Sequence, residues 1–586
     1  MLKVGAPREI DLPTSVPLEG PLDALDGAKI FAAPDDPADW PAWREALTRW
    51  RLEARERVRY EGSAYERPEL TWTQRCFACG LVWLWDERLY DHSVQRFTPE
   101  LLLDGAERDF GGFDGLVLWH AYPVLGIDER NQFDYYRDVP GIRELVAAIQ
   151  ARGVRVFVDY NPWDVGTRRE GTPDEQALAQ LVSWLGADGV FLDTMREAMP
   201  ELRAALPAAA FEGESTVPLA RIADHHLSWA QWFADSTVPG LIRARWFEQR
   251  HMLHHTRRWN RDHSEELRSA WLNGVGVLVW ENVFGSWVGW NQRDRAVLRG
   301  MTAVQRRHTA LLTHGEWTPL AARSDDLSVV GSHWRLDGEE LWALANRGSQ
   351  PFAGVVSLAG SPCRLELPPL ALAAVTREGV AVFGGGSSAY PARSVVRTPT
   401  PRATAGGVPA GFVAGPEPRP LVARFRRRET GIYGEVPYVE EWKPLPPRLH
   451  DVVEIDRPAP RGRFAIGIRE VVDASGAPLT GLTLAEARAH AAAAGARLPT
   501  EDEWQLAAEA GLLERVEPLV WNWTESEHSD GRTRFAILKG GSAWRAGGSE
   551  WYVDGGPQEP AYSLEYLLAG PLQRSARIGF RLAVDL

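Results

Sequence analysis

A (β/α)8 barrel is the fold class that this sequence predicts for its first half, and three observations predict it. Short apolar runs recur, and each ends on a carboxylate: 154–158 on Asp159, 189–192 on Asp193, 208–211 on Glu212 and Glu214, 276–280 on Glu281. Segments with helical patterning lie between these runs, and strands alternating with helices build a parallel sheet. The runs number eight, at 74–84, 114–119, 154–159, 188–193, 208–212, 227–232, 251–256 and 275–281, which is the count that closes a barrel. Helices are expected near 99–109, 141–152, 174–185, 196–206, 215–223, 237–248 and 262–273, with 293–314 closing the ring. The fifth to seventh units are the most compressed.

The elements outside the barrel follow in order. Residues 1–69 are rich in proline and charge and read as a lead-in, with one helix from Trp40 to Glu56 that packs on the barrel domain of 70–316. Residues 317–400 carry short strand candidates at 328–332, 341–346 and 354–358, and the pattern continues through 370–380. This predicts an appended antiparallel β-sandwich. Residues 401–429 are a Pro/Ala/Gly-rich linker. Residues 430–586 form a separate C-terminal unit. It has an alanine-rich helix over 482–495 that ends at a glycine and a second helix over 501–510 capped by Thr500.

Composition narrows the function classes. The chain has 586 residues, 44% apolar, with a net charge of -14. An acidic chain lacks the basic footprint that nucleic acid requires. No run of 18 apolar residues is present, so no membrane span is expected. The first residues lack an apolar signal core, which predicts a cytoplasmic location. Oligomeric state is left open, a homodimer included. Cys76 and Cys79 form a lone C-x-x-C inside an apolar run, read as buried and structural in preference to metal or redox chemistry. No metal and no cofactor are expected. The 26 tryptophans are many. Trp72, Trp83, Trp85, Trp119, Trp163, Trp280, Trp287 and Trp290 flank the expected strand ends. There indoles either stack on pyranose C–H faces or fill core.

Carboxylates gathered at the carboxyl ends of barrel strands suit hydrolysis of a glycosidic bond, which needs an acid for the leaving oxygen and a carboxylate facing the anomeric carbon. Asp193 is the first candidate, as nucleophile or oxocarbenium stabiliser; the structural alternative is a helix cap or a partner of Arg196. Glu212 and Glu214 lie two apart and point the same way. Glu214 is preferred as proton donor because it lies further out, and a buried ion pair is the alternative for both. Asp159 is expected to hold a sugar hydroxyl or orient the nucleophile. Asp164, Arg168 and Arg169 lie further out, where salt bridges suffice. Glu281 with Trp280 and Trp287 are candidate sugar contacts, with replacement of Glu214 as the acid the alternative for Glu281; Trp163 and, from the long polar loop 120–134, His120, Asp128 and Arg130 are candidate contacts too. Six histidines lie between 225 and 263. A histidine bound to a hydroxyl is preferred there over a metal held by His251 and His255.

The barrel resembles the glycoside hydrolase barrels of the α-amylase and α-galactosidase kinds over about 70–315. The resemblance implies an aspartate nucleophile after strand four, at Asp193, an acid/base glutamate in the Glu212-Gly-Glu214 stretch after strand five, and a substrate-binding aspartate at Asp159. The Arg-x-Asp motif of α-amylases is replaced by Phe191-Leu192-Asp193. In the C-terminal unit, Gly495-Ala-Arg-Leu-Pro-Thr-Glu-Asp-Glu-Trp504, Trp521-Asn-Trp-Thr524, Leu538-Lys-Gly-Gly-Ser-Ala-Trp544 and Ile578-Gly-Phe-Arg581 resemble the formylglycine-generating enzyme/sulfatase-modifying-factor fold. That family's oxidases carry a copper-binding cysteine pair, and its ergothioneine-type relatives carry iron-binding histidines. No cysteine follows Cys363 here, and His528 is the only histidine after Arg497. The resemblance therefore implies a scaffold, and replacing His528 is expected to leave activity intact. The reading favoured is a glycosidase acting on a short or terminal saccharide. The alternative is a non-catalytic carbohydrate-binding or assembly protein.

Overall fold

The computed structural model describes residues 12–164, 167–230, 234–257, 261–283, 286–429, 438–440, 451–460, 462–545 and 555–586. Eight parallel strands close into a barrel: β1 Ala78–Trp83, β2 Gly115–Trp119, β3 Arg155–Tyr160, β4 Gly189–Leu192, β5 Ala210–Glu214, β6 Leu227–Ala230, β7 Met252–His255 and β8 Gly276–Val279. Nearly every residue in them is buried. Helices cover the outer face and side chains fill the interior, which explains why the strands read as continuous apolar runs. The expected ends at 231 and 232 and the domain boundary at 430 lie outside the described residues.

The lead-in helix α1 (Trp40–Arg57) buries Trp40, Trp43, Leu47, Trp50 and Ala54, the spacing of one helical face. Trp50 meets Phe247 edge-on at 6.2 Å, and Ile30–Phe31 pairs with Leu241–Ile242. The lead-in is thus part of the barrel's outer wall. Helix α2 (Pro99–Phe110) starts with proline in its first turn and stops at Gly111 in the left-handed region. Helices α3 (Ile142–Ala151) and α4 (Asp174–Leu185) follow β2 and β3, and α5 (Pro200–Ala205) follows β4.

The expected helix at 215–223 is reduced to one 3-10 turn, Leu219–Arg221, and that at 237–248 to Arg243–Phe247. Proline explains both: Pro218 and Pro239 each lack an N–H and block the carbonyl a turn earlier. Helix α6 (Ser264–Asn273) precedes β8, and the closing helix breaks at His308 into α7 (Gln292–Arg307) and Thr309–His314.

Strand register sorts the barrel interior into layers, with alternate strands contributing to each. Low in the barrel, β1, β3, β5 and β7 supply Cys79, Phe157, Glu212 and His254. Trp72 meets Phe157 at 5.9 Å in this part of the barrel. The next layer is apolar: Val117, Phe191, Trp229 and Leu278, with Phe191 stacked on Trp229 at 4.5 Å. Above it come Leu81, Asp159, Glu214 and Thr256, and above them Trp119, Asp193 and Trp280.

An antiparallel β-domain follows: β9 Glu316–Arg323, β10 Val329–Leu336, β11 Glu339–Asn346, β12 Phe352–Leu358, β13 Ser361–Leu367, β14 Leu372–Thr376 and β15 Gly379–Phe383, in the order β13-β12-β9-β10-β11-β14-β15. Its period-two alternation serves two cores. Leu341, Ala343 and Ala345 of β11 join the main core, whereas Trp342 and Leu344 pack with Val356 and Leu365 of β12 and β13. Trp271 of α6 fastens the sheet to the barrel by donating to the carbonyls of Leu344 and Ala373.

In the C-terminal α+β domain, helices α8 (Leu484–Ala493) and α9 (Glu501–Glu509) both begin with complete capping boxes, Thr483/Glu486 and Thr500/Glu503. Strands β16 (Trp521–Ser529) and β17 (Arg534–Lys539) form a hairpin whose turn, 530–533, rests on the strand-end loops of β1 and β8. No helix among the described residues is long and apolar enough to cross a membrane.

Burial makes the fold acid-sensitive. Burial first, then neighbouring positive charge, pushes His251 and His255 down to about 3, and burial pushes His226 down to about 4. Their stabilisation is complete above about pH 6.5 and is lost as the pH falls, because only the unfolded chain takes up those protons. Moving from pH 7 to pH 5 costs on the order of 5 kcal/mol from these three. Asp235 and Asp502, each raised to about 6 by burial, act in the opposite sense and offset roughly half of it. Taken by themselves, these five groups predict a lower urea midpoint at pH 5 than at pH 7, and an unchanged midpoint would contradict this account.

Candidate active site

The upper end of the barrel carries two carboxylates at the ends of adjacent strands. Asp193 follows β4 and Glu214 ends β5, and the Thr194 N–H donates to the Glu214 carboxylate at 2.8 Å. The Asn161 amide donates to Asp193 at 3.1 Å from the end of β3. Glu214 is buried, whereas Asp193 is partly exposed. The residue after each is left-handed, Thr194 at φ 63° and Ser215 at φ 70°. For a β-branched threonine this conformation is a real cost of about 1–3 kcal/mol, and such strain gathers at functional sites. Both left-handed residues directly follow a strand-end carboxylate. Gly213 is required between the glutamates, because a Cβ there would lie 2.5 Å from the Arg196 carbonyl oxygen. Gly213→Ala is expected to displace Glu214 and lower activity about tenfold or more, measured with a folded variant of unchanged circular dichroism.

Asp159 lies in the same layer as Glu214. Its amide donates to the Tyr136 hydroxyl at 2.8 Å, and its carboxylate lies 3.5 Å from His120 Nε2. His120 accepts from the Tyr122 N–H through Nδ1, so Nε2 carries the proton and faces Asp159. Indoles surround this group: Trp119 meets Trp83 at 5.4 Å and Trp280 at 5.5 Å, all edge-on. Trp163, at 46% exposure, stands on the loop after β3.

The structure does not bring Glu212 to this mouth. Glu212 is fully buried beneath the Phe191/Trp229 layer and bonds His254 Nδ1 at 2.5 Å. Burial alone would lower the His254 pKa, but the Glu212 charge and hydrogen bond and Cys76 together hold it well above the usual histidine range.

Asp128 and Arg130 are also drawn elsewhere. They pair with each other at 2.7 Å and hold the C-terminal domain, with Ser575 donating to Asp128 at 2.6 Å and Arg130 donating to the Leu572 carbonyl at 2.9 Å. Glu281 is engaged by Arg295 at 3.0 Å, Arg532 at 3.4 Å and the Trp290 N–H at 3.2 Å. Trp280 donates to the Asn282 carbonyl. Trp287 lines a separate cleft of about 630 Å³ together with Trp290, Tyr390, Arg88, Arg295 and Arg532. The outer charges Arg168 and Arg169 pair with Asp134 and Asp174. His251 bonds the hydroxyls of Tyr65 and Ser228 inside the protein.

Asn161, Thr194 and Arg532 were not singled out from the sequence. Asn161 carried a signal, since it follows Asp159-Tyr160 at a strand end. Thr194 and Arg532 carried none, because a positive φ and a contact across 446 positions leave no local pattern.

Residues 449–518 match the family model described as Sulfatase-modifying factor enzyme 1-like domain. A search of curated proteins found no match. Among solved structures, the chain is similar to a debranching enzyme of Nostoc punctiforme soaked with acarbose, at 11% identity over 53% of this chain and 98% of that one, with a TM-score of 0.34. It is also similar to a noncanonic maltogenic α-amylase, AmyB, of Thermotoga neapolitana, at 11% identity over 53% and 99%, with a TM-score of 0.35. A cyclic α-maltosyl-(1→6)-maltose hydrolase of Arthrobacter globiformis gives 12% identity over 54% and 99%, with a TM-score of 0.34. Likeness at this level says nothing of the chemistry at this chain's barrel mouth.

Proposed function

We propose that this chain is a glycoside hydrolase that cleaves a short or terminal saccharide at the barrel mouth. The observation that carries the reading is the Asp193–Glu214 pair, set on adjacent strand ends by two left-handed residues and joined through the Thr194 N–H. Asp193, with its orientation fixed by Asn161, faces the anomeric carbon as nucleophile. Glu214 is the acid that protonates the leaving oxygen and then the base that activates water. Asp159 and His120 hold sugar hydroxyls, and Trp119, Trp280 and Trp163 present indole faces or edges to C–H surfaces. The geometry invokes no cofactor for this reaction. Neutral saccharide substrates agree with the chain's acidic character, and the favoured outcome is retention.

The second reading, a carbohydrate-binding protein without turnover, is favoured by one observation: the 530–533 turn rests on the rim and engages Glu281. Nitrophenyl glycosides of both anomeric configurations and short oligosaccharides separate the two. Turnover that disappears in Asp193→Asn supports the hydrolase; sugar binding without turnover on any of them supports the alternative.

A further inference from the structure

The lower barrel layer holds a group of side chains that the glycosidase reading does not use. Cys79 of β1, Glu212 of β5 and His254 of β7 converge across the interior, with one ligand atom of each within 4.8 Å of the other two. All three are completely buried. Cys76 is close by, since its sulfur and that of Cys79 lie 3.2 and 3.4 Å from the same point beside Gly115.

As a simple ion pair this arrangement is incomplete. Glu212 spends Oε1 on His254, and its Oε2 is buried with no hydrogen-bond partner among the described residues. An orphaned carboxylate oxygen in a dry interior costs several kcal/mol unless something positive or hydrogen-bonding meets it. Nothing in the packing of an all-apolar layer requires a thiol, a carboxylate and an imidazole at one point. His254 is also oriented as metal-binding histidines are. Its Nε2 faces the Cys76 carbonyl oxygen at 2.6 Å, which fixes the ring and leaves Nδ1 for the shared point.

We propose that Cys79, Glu212 and His254 form a buried site for a borderline divalent cation of the zinc class, with Cys76 supplying the fourth ligand. Two thiolates, an imidazole and a carboxylate match the donors that zinc prefers. Tetrahedral bonds of roughly 2.0–2.3 Å place ligand atoms about 3.3–3.8 Å apart; the atoms of Cys79, Glu212 and His254 lie within 4.8 Å of one another, and the 2.5 Å contact of Glu212 with His254 opens to admit the ion. On binding, three protons leave for solvent: one from each thiol and one from the imidazolium. The Phe191/Trp229 layer above and Trp72 nearby keep the ion dry, so it is loaded as the barrel folds, and its role is structural. The site is independent of the mouth, and its test does not depend on activity.

The test uses the full chain expressed in zinc- or cobalt-supplemented medium. Mass spectrometry is expected to find about one equivalent of metal per chain. The cobalt form is expected to show a near-ultraviolet thiolate-to-metal band and the intense visible bands of a tetrahedral ion. Cys79→Ala is expected to abolish the thiolate band and Cys363→Ala to preserve it. If Cys79→Ala fails to fold, the wild-type spectrum still decides. Less than a tenth of an equivalent in natively folded protein, bound cobalt without a thiolate band, or a band that survives in Cys79→Ala overturns the proposal.

Discussion

Asp193→Asn is expected to lower kcat about a thousandfold or more while leaving KM within a few fold. The amide has the same shape, so the cleft and its hydrogen bond from Asn161 persist. What is lost is a negative charge needed as the anomeric centre becomes positive. Glu214→Gln is expected to behave differently. Substrates with poor leaving groups lose most of their rate, whereas activated phenyl glycosides, which need little protonation, lose less. A basic pH limb that is present in the parent and absent from Glu214→Gln would confirm which group titrates. Near-normal turnover by Asp193→Asn, or equal losses across leaving groups in Glu214→Gln, would sink the assignment. The stereochemical outcome follows carboxyl separation, with roughly 5 Å giving retention and roughly 6.5–9.5 Å giving inversion. Direct analysis of the anomer first formed reads it out.

Arg532→Ala is expected to destabilise the protein by about 3–5 kcal/mol. The guanidinium lies 3.0 Å from Asp86 and 3.4 Å from Glu281, and both carboxylates are buried. Removing it leaves Asp86 charged in a site whose burial already raises its pKa, against the pull of Arg532. Glu281 keeps Arg295, so most of the loss falls on Asp86. Chemical denaturation should show a lower midpoint, and limited proteolysis should cut between the barrel and the C-terminal domain sooner. Arg532→Lys is expected to recover only part of the loss, because an ammonium cannot reproduce the guanidinium's geometry toward both acids.

Strand positions were legible in the sequence because apolar runs bounded by glycine and a carboxylate are local signals. The strand-end positions of Asp193, Glu214 and Asp159 were legible for the same reason. Depth was not. Period two places Glu212 and Glu214 on the same side of β5, but two residues of strand rise span about 6.6–6.8 Å, one storey of side chains. The Phe191/Trp229 layer comes from neighbouring strands, so it leaves no mark beside Glu212 in the sequence. Asp128, Arg130 and Glu281 were read as substrate contacts because their loops are polar and long. Their partners, Ser575, Leu572 and Arg532, lie hundreds of positions away, and no local pattern announces a domain that docks. The shortened helices were legible in principle, since Pro218 and Pro239 stand inside the expected spans.

The 530–533 turn resting on the loops of β1 and β8 has a consequence for the order of assembly. Asp86 leaves the ribosome 446 residues before Arg532 and Glu281 leaves it 251 residues before. The eight strands can close once β8 has been synthesised, and Glu281 then has Arg295, but Asp86 lacks Arg532 until the C-terminal domain is made and docks. Closure between such distant segments is slow compared with local pairing. Translation therefore delivers the barrel rim well before the hairpin that seats on it.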